Sequence, residues 1–480
     1  MAPNRTTLLH ASTLVAARLL VTVAVLWLGF EALSDDDFAR VTLAQQFAEA
    51  PQLDPTGTSW LPFPFWLNGS LMAAFGRSLG VARAVTVLIA CAFSLLLYAS
   101  ARMSRVPPTA AWLGVLIWTF VPVGVFAGAS TVPELSTAAL CASSLLLLRR
   151  SDLRASLVAA ALVLPATLSR YEAWPIALFV AISIGIPPKD ARRSGLSKAS
   201  MAGRFGAVVL ALLGPIAWIS WNWHAHGDPM HFHARVSAYW FAWGGGTQPP
   251  WDMLAAYPKT VIFGAPVLVA SAVGAVYWTQ HREHLRSWLR PALGALVMLV
   301  ALTLAQSTGG APTHHPERTL LLVWAIGWIA TADLLAGEFA RRGRGWDLWR
   351  RAWLAGVIVF MLVRTHALTP WYGVRRSEEV QLGRWLGENT HGPVLLAPID
   401  FGYFAVMAGM GDPDRVMLAS SVDPRAATAP SPFEDEARLR ERIARDSVQW
   451  LAATGEQARV AERMGDKRFG LGPWSVVSVK

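Results

Sequence analysis

The 480-residue chain is 54% hydrophobic and only 15% charged, with 23 tryptophans and a formal net charge of +10. Soluble domains carry about 25% charged residues, so a soluble enzyme is excluded. The basic residues fall in short clusters between apolar runs, not in one patch, which excludes a nucleic-acid surface and fits the inner loops of a membrane protein.

Apolar stretches near the span of a bilayer recur along the chain, rich in the small residues that helix packing in lipid favours. About eleven spans are predicted, at residues 13–33, 81–101, 109–128, 134–148, 154–169, 174–187, 206–221, 259–279, 291–306, 319–336 and 352–368. The first is followed by charge and not by a small-residue cleavage site, so it reads as a retained span. Arg18 lies near its inner end, from where its side chain can snorkel. The fourth to sixth runs are short, and one could be a tilted or re-entrant piece. Cys91 and Cys141 sit inside apolar runs and read as small core residues, not as a disulfide or thiolate metal site.

The basic clusters at 101–105, 149–154, 189–198, 281–290 and 341–351 fall on alternate sides and mark the cytoplasm, with the N-terminus beside them. Segments 34–80, 129–133, 170–173, 222–258, 307–318 and the tail after 369 are then external. No fixed-period repeat and no GxxxxGK[ST] loop is found, so nothing points to ATP hydrolysis.

The first external segment opens on "SDDDFAR", with Asp35, Asp36 and Asp37 at the membrane exit. Negative charge beside lipid is unfavourable unless solvated or paired. One reading is a helix start capped by Ser34 or Asp35, its acids facing the positive end of the dipole. The other is functional, since three acids with Arg40 one turn on exceed what a cap needs. "TSWLPFPFWLNG" (58–69) places Trp60 and its neighbours either flat at the interface or around an opening for a lipid or sugar.

Further on, Arg170, Tyr171 and Glu172 in "TLSRYEAWP" form either a helix-end ion pair or part of a polar ligand site. "NWHAHGDPMHFHARV" carries His224, His226, His231 and His233. Its two His-x-His pairs flank the Gly227–Pro229 turn; they bind a metal if the chain brings them together, and otherwise line a site or fill a polar loop. "THHPERTLLLVW" puts His315, Glu317 and Arg318 at the outer edge of the tenth span. An arginine there breaks the charge bias and needs a partner, either a lipid headgroup or a phosphate held by its forked donors.

The tail, 369–480, changes composition. Helices are expected at 378–390, 434–446 and 455–464, and strands at 393–399, 415–420, 447–453 and 474–479. The alternation suggests a small α/β domain. The expected organisation is a mainly α polytopic membrane module over 1–368 and an extracytoplasmic α/β domain over 369–480, in the inner (plasma) membrane.

A first span, an acidic motif in the first external loop, many further spans and an external C-terminal domain together resemble the C-type integral-membrane glycosyltransferases (GT-C). The resemblance lies nearest the bacterial O-mannosyltransferase-like and aminoarabinose transferase-like group. It covers roughly 13–365 well and the tail loosely, and "SRYEAWP", "NWHAHGDPMHF" and "HPERTLLLVW" look like later external motifs of such chains. It implies transfer of a sugar from a polyprenyl-phosphate-linked donor to an acceptor at the outer face. A first-loop aspartate would be the general base, Asp36 before Asp37. A carboxylate at the lipid boundary has its pKa raised by desolvation and like charges, which suits that role. Asp35, Arg40, Trp60, His224, His226, His231, His315 and Glu317 would line the site. Arg318 would hold the carrier phosphate, and Arg170, Tyr171 and Glu172 would shape the sugar or acceptor pocket. Some members of the superfamily need a divalent metal; here no cofactor and a metal-independent reaction are expected. The competing readings are a transporter of lipid-linked sugar or polymer, which should show mid-span charges or broken helices in matched halves, and an inactive binding protein of the same fold.

Overall fold

In the computed structural model the apolar runs are helices. It describes residues 5–57, 59–186, 198–243, 249–279, 282–308, 315–342, 345–426 and 430–479. Residues 189–197 of the basic cluster at 189–198, and residues 313 and 314 of the connection between the ninth and tenth predicted spans, lie outside the described residues. In chain order, α1 (Arg5–Trp27) is followed by two short helices of the first loop, α2 (Asp35–Glu49) and α3 (Phe63–Phe75). Then come α4 (Leu79–Met103), α5 (Pro108–Thr119), α6 (Pro122–Gly128), α7 (Glu134–Leu147), α8 (Leu153–Thr167) and α9 (Ala173–Gly185). The long α10 (Lys198–His226) leads to α11 (His231–Ala242), α12 (Pro250–Gly264), α13 (Pro266–Trp278) and α14 (Arg282–Ser287). The helical part closes with α15 (Leu289–Ser307), α16 (Pro316–Thr319), α17 (Leu321–Arg342) and α18 (Gly345–Leu368).

Among the described residues, α1, α4, α10, α15 and α18 contain helices long and apolar enough to cross a membrane, and there are 7 such spans if each bent pair is one span. The predicted single runs 109–128 and 259–279 are each broken. α5 and α6 meet at 77°, α12 and α13 at 80°. The cause is local: Pro122 and Pro266 open the second helix of each pair, and the residue before a proline is pushed out of the helical region. α7, α8, α9 and the apolar part of α17 are shorter than a full span.

Arg18 does not snorkel. It is fully buried, donates from Nη1 to the Gly124 carbonyl at 3.0 Å and lies 5.7 Å from the Trp118 ring. It ties α1 to the short α6.

Polar contacts sort the connections into two ends. At one end Arg149 and His284 bond Asp333 at 3.2 and 2.9 Å, Arg149 stacks on Trp288 at 4.2 Å, Arg150 reaches the Met103 carbonyl, and Arg204 reaches the Ser151 carbonyl. Arg149, Arg150, Ser151, Met103, His284 and Trp288 all belong to connections that carry the basic clusters. At the other end Asp37 bonds Thr131, Arg318 bonds Leu33, Arg170 bonds Glu134, and Tyr171 bonds Ser59. No contact in either set crosses to the other.

After 369 the chain forms a five-stranded sheet with helices: α19 (Ser377–Asn389), β1 (Val394–Leu396), α20 (Tyr403–Met410), β2 (Val416–Leu418), α21 (Glu436–Asp446), β3 (Trp450–Thr454), α22 (Gly455–Glu462), β4 (Gly465–Leu471) and β5 (Trp474–Val479). The order is β2-β1-β3-β5-β4, with β2, β1 and β3 parallel and the last two strands antiparallel. β1 is buried at every residue, as a strand covered on both faces must be. This unit sits on α2. Ala405 and Ala408 of α20 pack among Phe38, Val41 and Ala44, and Gln45 donates to the Ala408 carbonyl at 2.9 Å. Before α19, Val374 pairs with Ala32 in an isolated bridge.

Candidate active site

The acidic turn starts α2, and its three carboxylates have three different fates. Asp35 is half-buried and takes the forked guanidinium of Arg376, with Nε and Nη2 at 2.9 Å from its two oxygens. Asp36 is exposed. Asp37 is buried at 4% exposure: one oxygen accepts the Leu33 N–H at 2.6 Å, the other the Thr131 N–H and hydroxyl at 2.6 and 2.9 Å. The expected cap is therefore replaced. Ser34 stands at the N-cap position but makes no capping bond, Asp35 holds the tail, and the reach-back to the backbone comes from Asp37. Burial raises the Asp37 carboxyl above its ordinary range, against the Leu33 and Thr131 bonds and the nearby Arg318, which favour the charge.

Three arginines gather around Glu134, and two of them, Arg40 and Arg318, also flank the acidic turn. Arg40 lies one turn on, 8% exposed, with its guanidinium 4.4 Å from the Trp60 ring and 5.6 Å from Phe65. Its Nε and Nη1 have no partner. Burial works against its charge, and Glu134 and Asp36 support it. Arg170 is bracketed by two carboxylates, Glu134 at 2.8 Å and Glu172. Burial disfavours its charge, but these partners more than compensate and hold it firmly protonated. Arg318 is 7% exposed and donates to the Leu33 carbonyl at 3.0 Å and the Ser34 hydroxyl at 3.4 Å, so it clasps the loop just before the acidic turn.

The other expected residues fall into place around this group or apart from it. Tyr171 donates to the Ser59 carbonyl at 2.7 Å, accepts from Trp218 and stacks on Phe232 at 4.8 Å. It is a bracket between loops, and burial pushes its hydroxyl well above the usual range. Glu317 accepts from His315 and from the Tyr372 hydroxyl at 2.9 Å; these bonds outweigh burial and lower its pKa. His226 and His231 stack on each other at 4.0 Å, and His224 faces Trp221 at 6.1 Å. These contacts tie the histidines to their own loop and not to the acidic turn. Among the described residues no three His, Cys, Asp or Glu side chains converge as a cation site, and both Asp37 oxygens already accept protein N–H groups.

Glu134, Thr131 and Arg376 are the partners that sequence reasoning missed. The sole signal for Glu134 was a carboxylate at the start of an otherwise apolar run; Thr131 and Arg376 carried none.

No family model matches this chain, and no curated protein matches it in sequence. Solved structures do match. ArnT from Cupriavidus metallidurans, an aminoarabinose transferase, superposes with a TM-score of 0.62 in both its undecaprenyl phosphate complex and its apo state, at 13% and 12% identity, over 97% of each chain. The Archaeoglobus fulgidus oligosaccharyltransferase tethered to an acceptor peptide matches with a TM-score of 0.50 and 14% identity, over 98% of this chain and 74% of that one. The chain thus shares the fold of these two transferases.

Proposed function

We propose that this chain is a membrane glycosyltransferase that moves a sugar from a polyprenyl-phosphate-linked donor to an acceptor hydroxyl at the outer face of the plasma membrane. All eleven apolar runs would cross the bilayer, with the N-terminus inside and the 369–480 unit outside. One observation supports the reading: in a chain with this fold, the one exposed carboxylate of the acidic turn, Asp36, faces Arg40, whose guanidinium keeps unpartnered N–H groups, while Arg318 clasps the residues just before the turn.

In this reading Asp36 takes the proton from the acceptor hydroxyl. The acceptor oxygen then forms its bond to the anomeric carbon, and the bond from that carbon to the phosphate oxygen breaks. The electron pair leaves on the polyprenyl phosphate. Arg40 and Arg318 offset that charge: Arg40 has unpartnered N–H groups, and each Nη of Arg318 retains a second hydrogen beyond its loop contact. Asp37 fixes the turn through Leu33 and Thr131. Asp35 and Arg376 fix its outer side.

The two broken helices and the buried Arg18 keep a lipid-linked sugar transporter as second reading, since such features mark transport pathways. Membranes holding wild type or Asp36→Asn, given a polyprenyl-phosphate sugar and cell-envelope acceptors, decide between them. The substitution should lower transfer about 10²–10⁴-fold. Transfer at the wild-type rate would remove Asp36 as base, and sugar movement without transfer would favour the transporter.

A further inference from the structure

One face of α7, with Glu134, Thr137 and Cys141 at i, i+3 and i+7, lines a small cavity closed by Glu172, Met298 and Arg318. It has room for about one water-sized group. Three polar atoms of these lining side chains have no partner: Glu134 Oε2, Thr137 Oγ1 and Arg318 Nε. Their residues are 5%, 3% and 7% exposed. Buried polar groups are normally paired, so three unpaired ones around one cavity point to an occupant.

The atoms specify its chemistry. A guanidinium nitrogen only donates and a carboxylate oxygen only accepts. A group placed between them must accept from one and donate to the other, as a hydroxyl does; the Thr137 hydroxyl takes either role. The charges point the same way. At the cavity itself Glu134 and Glu172 are matched by Arg318 and by Arg170, which bonds both glutamates. An ammonium or a carboxylate entering this balanced surrounding would be a buried charge without a counter-ion.

We propose that Glu134, Thr137 and Arg318 form a hydroxyl-binding subsite that receives one hydroxyl of an uncharged sugar on the lipid-linked donor, and so select neutral sugars over amino and acidic ones. The inference rests on the transferase reading above. A permanently held water offers the same hydroxyl chemistry, and the experiment separates the two.

The purified full-length chain in detergent is titrated with undecaprenyl phosphate alone and with the same carrier bearing mannose, galactose, 4-amino-4-deoxyarabinose or glucuronic acid. At least one neutral hexosyl carrier should bind more tightly than the bare carrier and than both charged ones. Thr137→Val is isosteric and removes only an unpartnered hydroxyl, so it should fold normally. It should weaken the neutral hexosyl carrier about 3–10-fold, the value of one hydrogen bond, and leave the bare carrier unchanged. Glu134→Gln should shift preference toward the glucuronyl carrier, because the wall then gains net positive charge. If Thr137→Val alters all probes alike, or none, the hydroxyl serves a resident water and the sugar subsite falls. Tighter binding of the amino or acidic sugar by wild type overturns it as well. Failure of the bare carrier to bind would sink the transferase reading itself, and this inference with it.

Discussion

At the scale of residues, the acidic triplet divides one exposed carboxylate from two engaged ones. Asp37 accepts from two backbone N–H groups and a hydroxyl inside the protein. Asparagine there would turn an amide N–H toward one of those donors and leave it buried and unsatisfied. Asp37→Asn should therefore destabilise the protein by about 1–3 kcal/mol, read as a lower Tm in detergent, whereas Asp36→Asn should leave Tm unchanged. Equal Tm values for the two would mean that Asp37 does not anchor the turn. The clustering of charge at the start of α2 was legible in "SDDDFAR". The division of labour was not. Asp37 finds Thr131 94 residues away and Asp35 finds Arg376 341 residues away, and no local pattern encodes partners at that separation.

At the scale of elements, the segment entering α19 straps the C-terminal unit to the acidic turn. Glu31 accepts the Arg376 N–H at 2.7 Å and the Ser377 hydroxyl, Arg376 forks onto Asp35, and it also reaches Asp400 at 2.8 Å. The strap needs Gly373. Its φ is +95°, and a Cβ there would stand 2.1 Å from the Ala32 carbonyl oxygen. Gly373→Ala should break the Ala32–Val374 bridge and destabilise the strap by about 1–3 kcal/mol, seen as faster hydrogen exchange at the Val374 amide. Unchanged exchange would show that the strap tolerates the side chain. Helices and strands of this unit were largely legible from periodicity, yet β4 and α20 were not. β4 is mostly exposed, with residues such as Asp466, Lys467 and Arg468, and is specified by pairing with β5. α20 is a short apolar helix that reads equally as a strand or a loop. The helix breaks were written locally, in Pro122 and Pro266, but hydropathy averages across them.

For the whole molecule, the contacts decide which connections share an end, while the basic clusters decide which end is which. Arginine-rich loops gather with Asp333 at one end; the acidic turn, the aromatic loop at 59–66 and the C-terminal unit gather at the other. Positive loops stay on the cytoplasmic side, so the second end should face outward, with the carrier phosphate of a lipid-linked donor at its level. Both native cysteines are buried and give little background for thiol labelling. Glu456 in α22 and Thr109 in α5 are exposed, on the C-terminal unit and at the arginine-rich end respectively. In intact cells Glu456→Cys should react with an impermeant maleimide, and Thr109→Cys should react only after permeabilisation. The reverse pattern would turn the protein over in the membrane. Asp36 would then face the cytoplasm, away from any donor presented outside, and the proposed direction of transfer would fail even if the residue chemistry held.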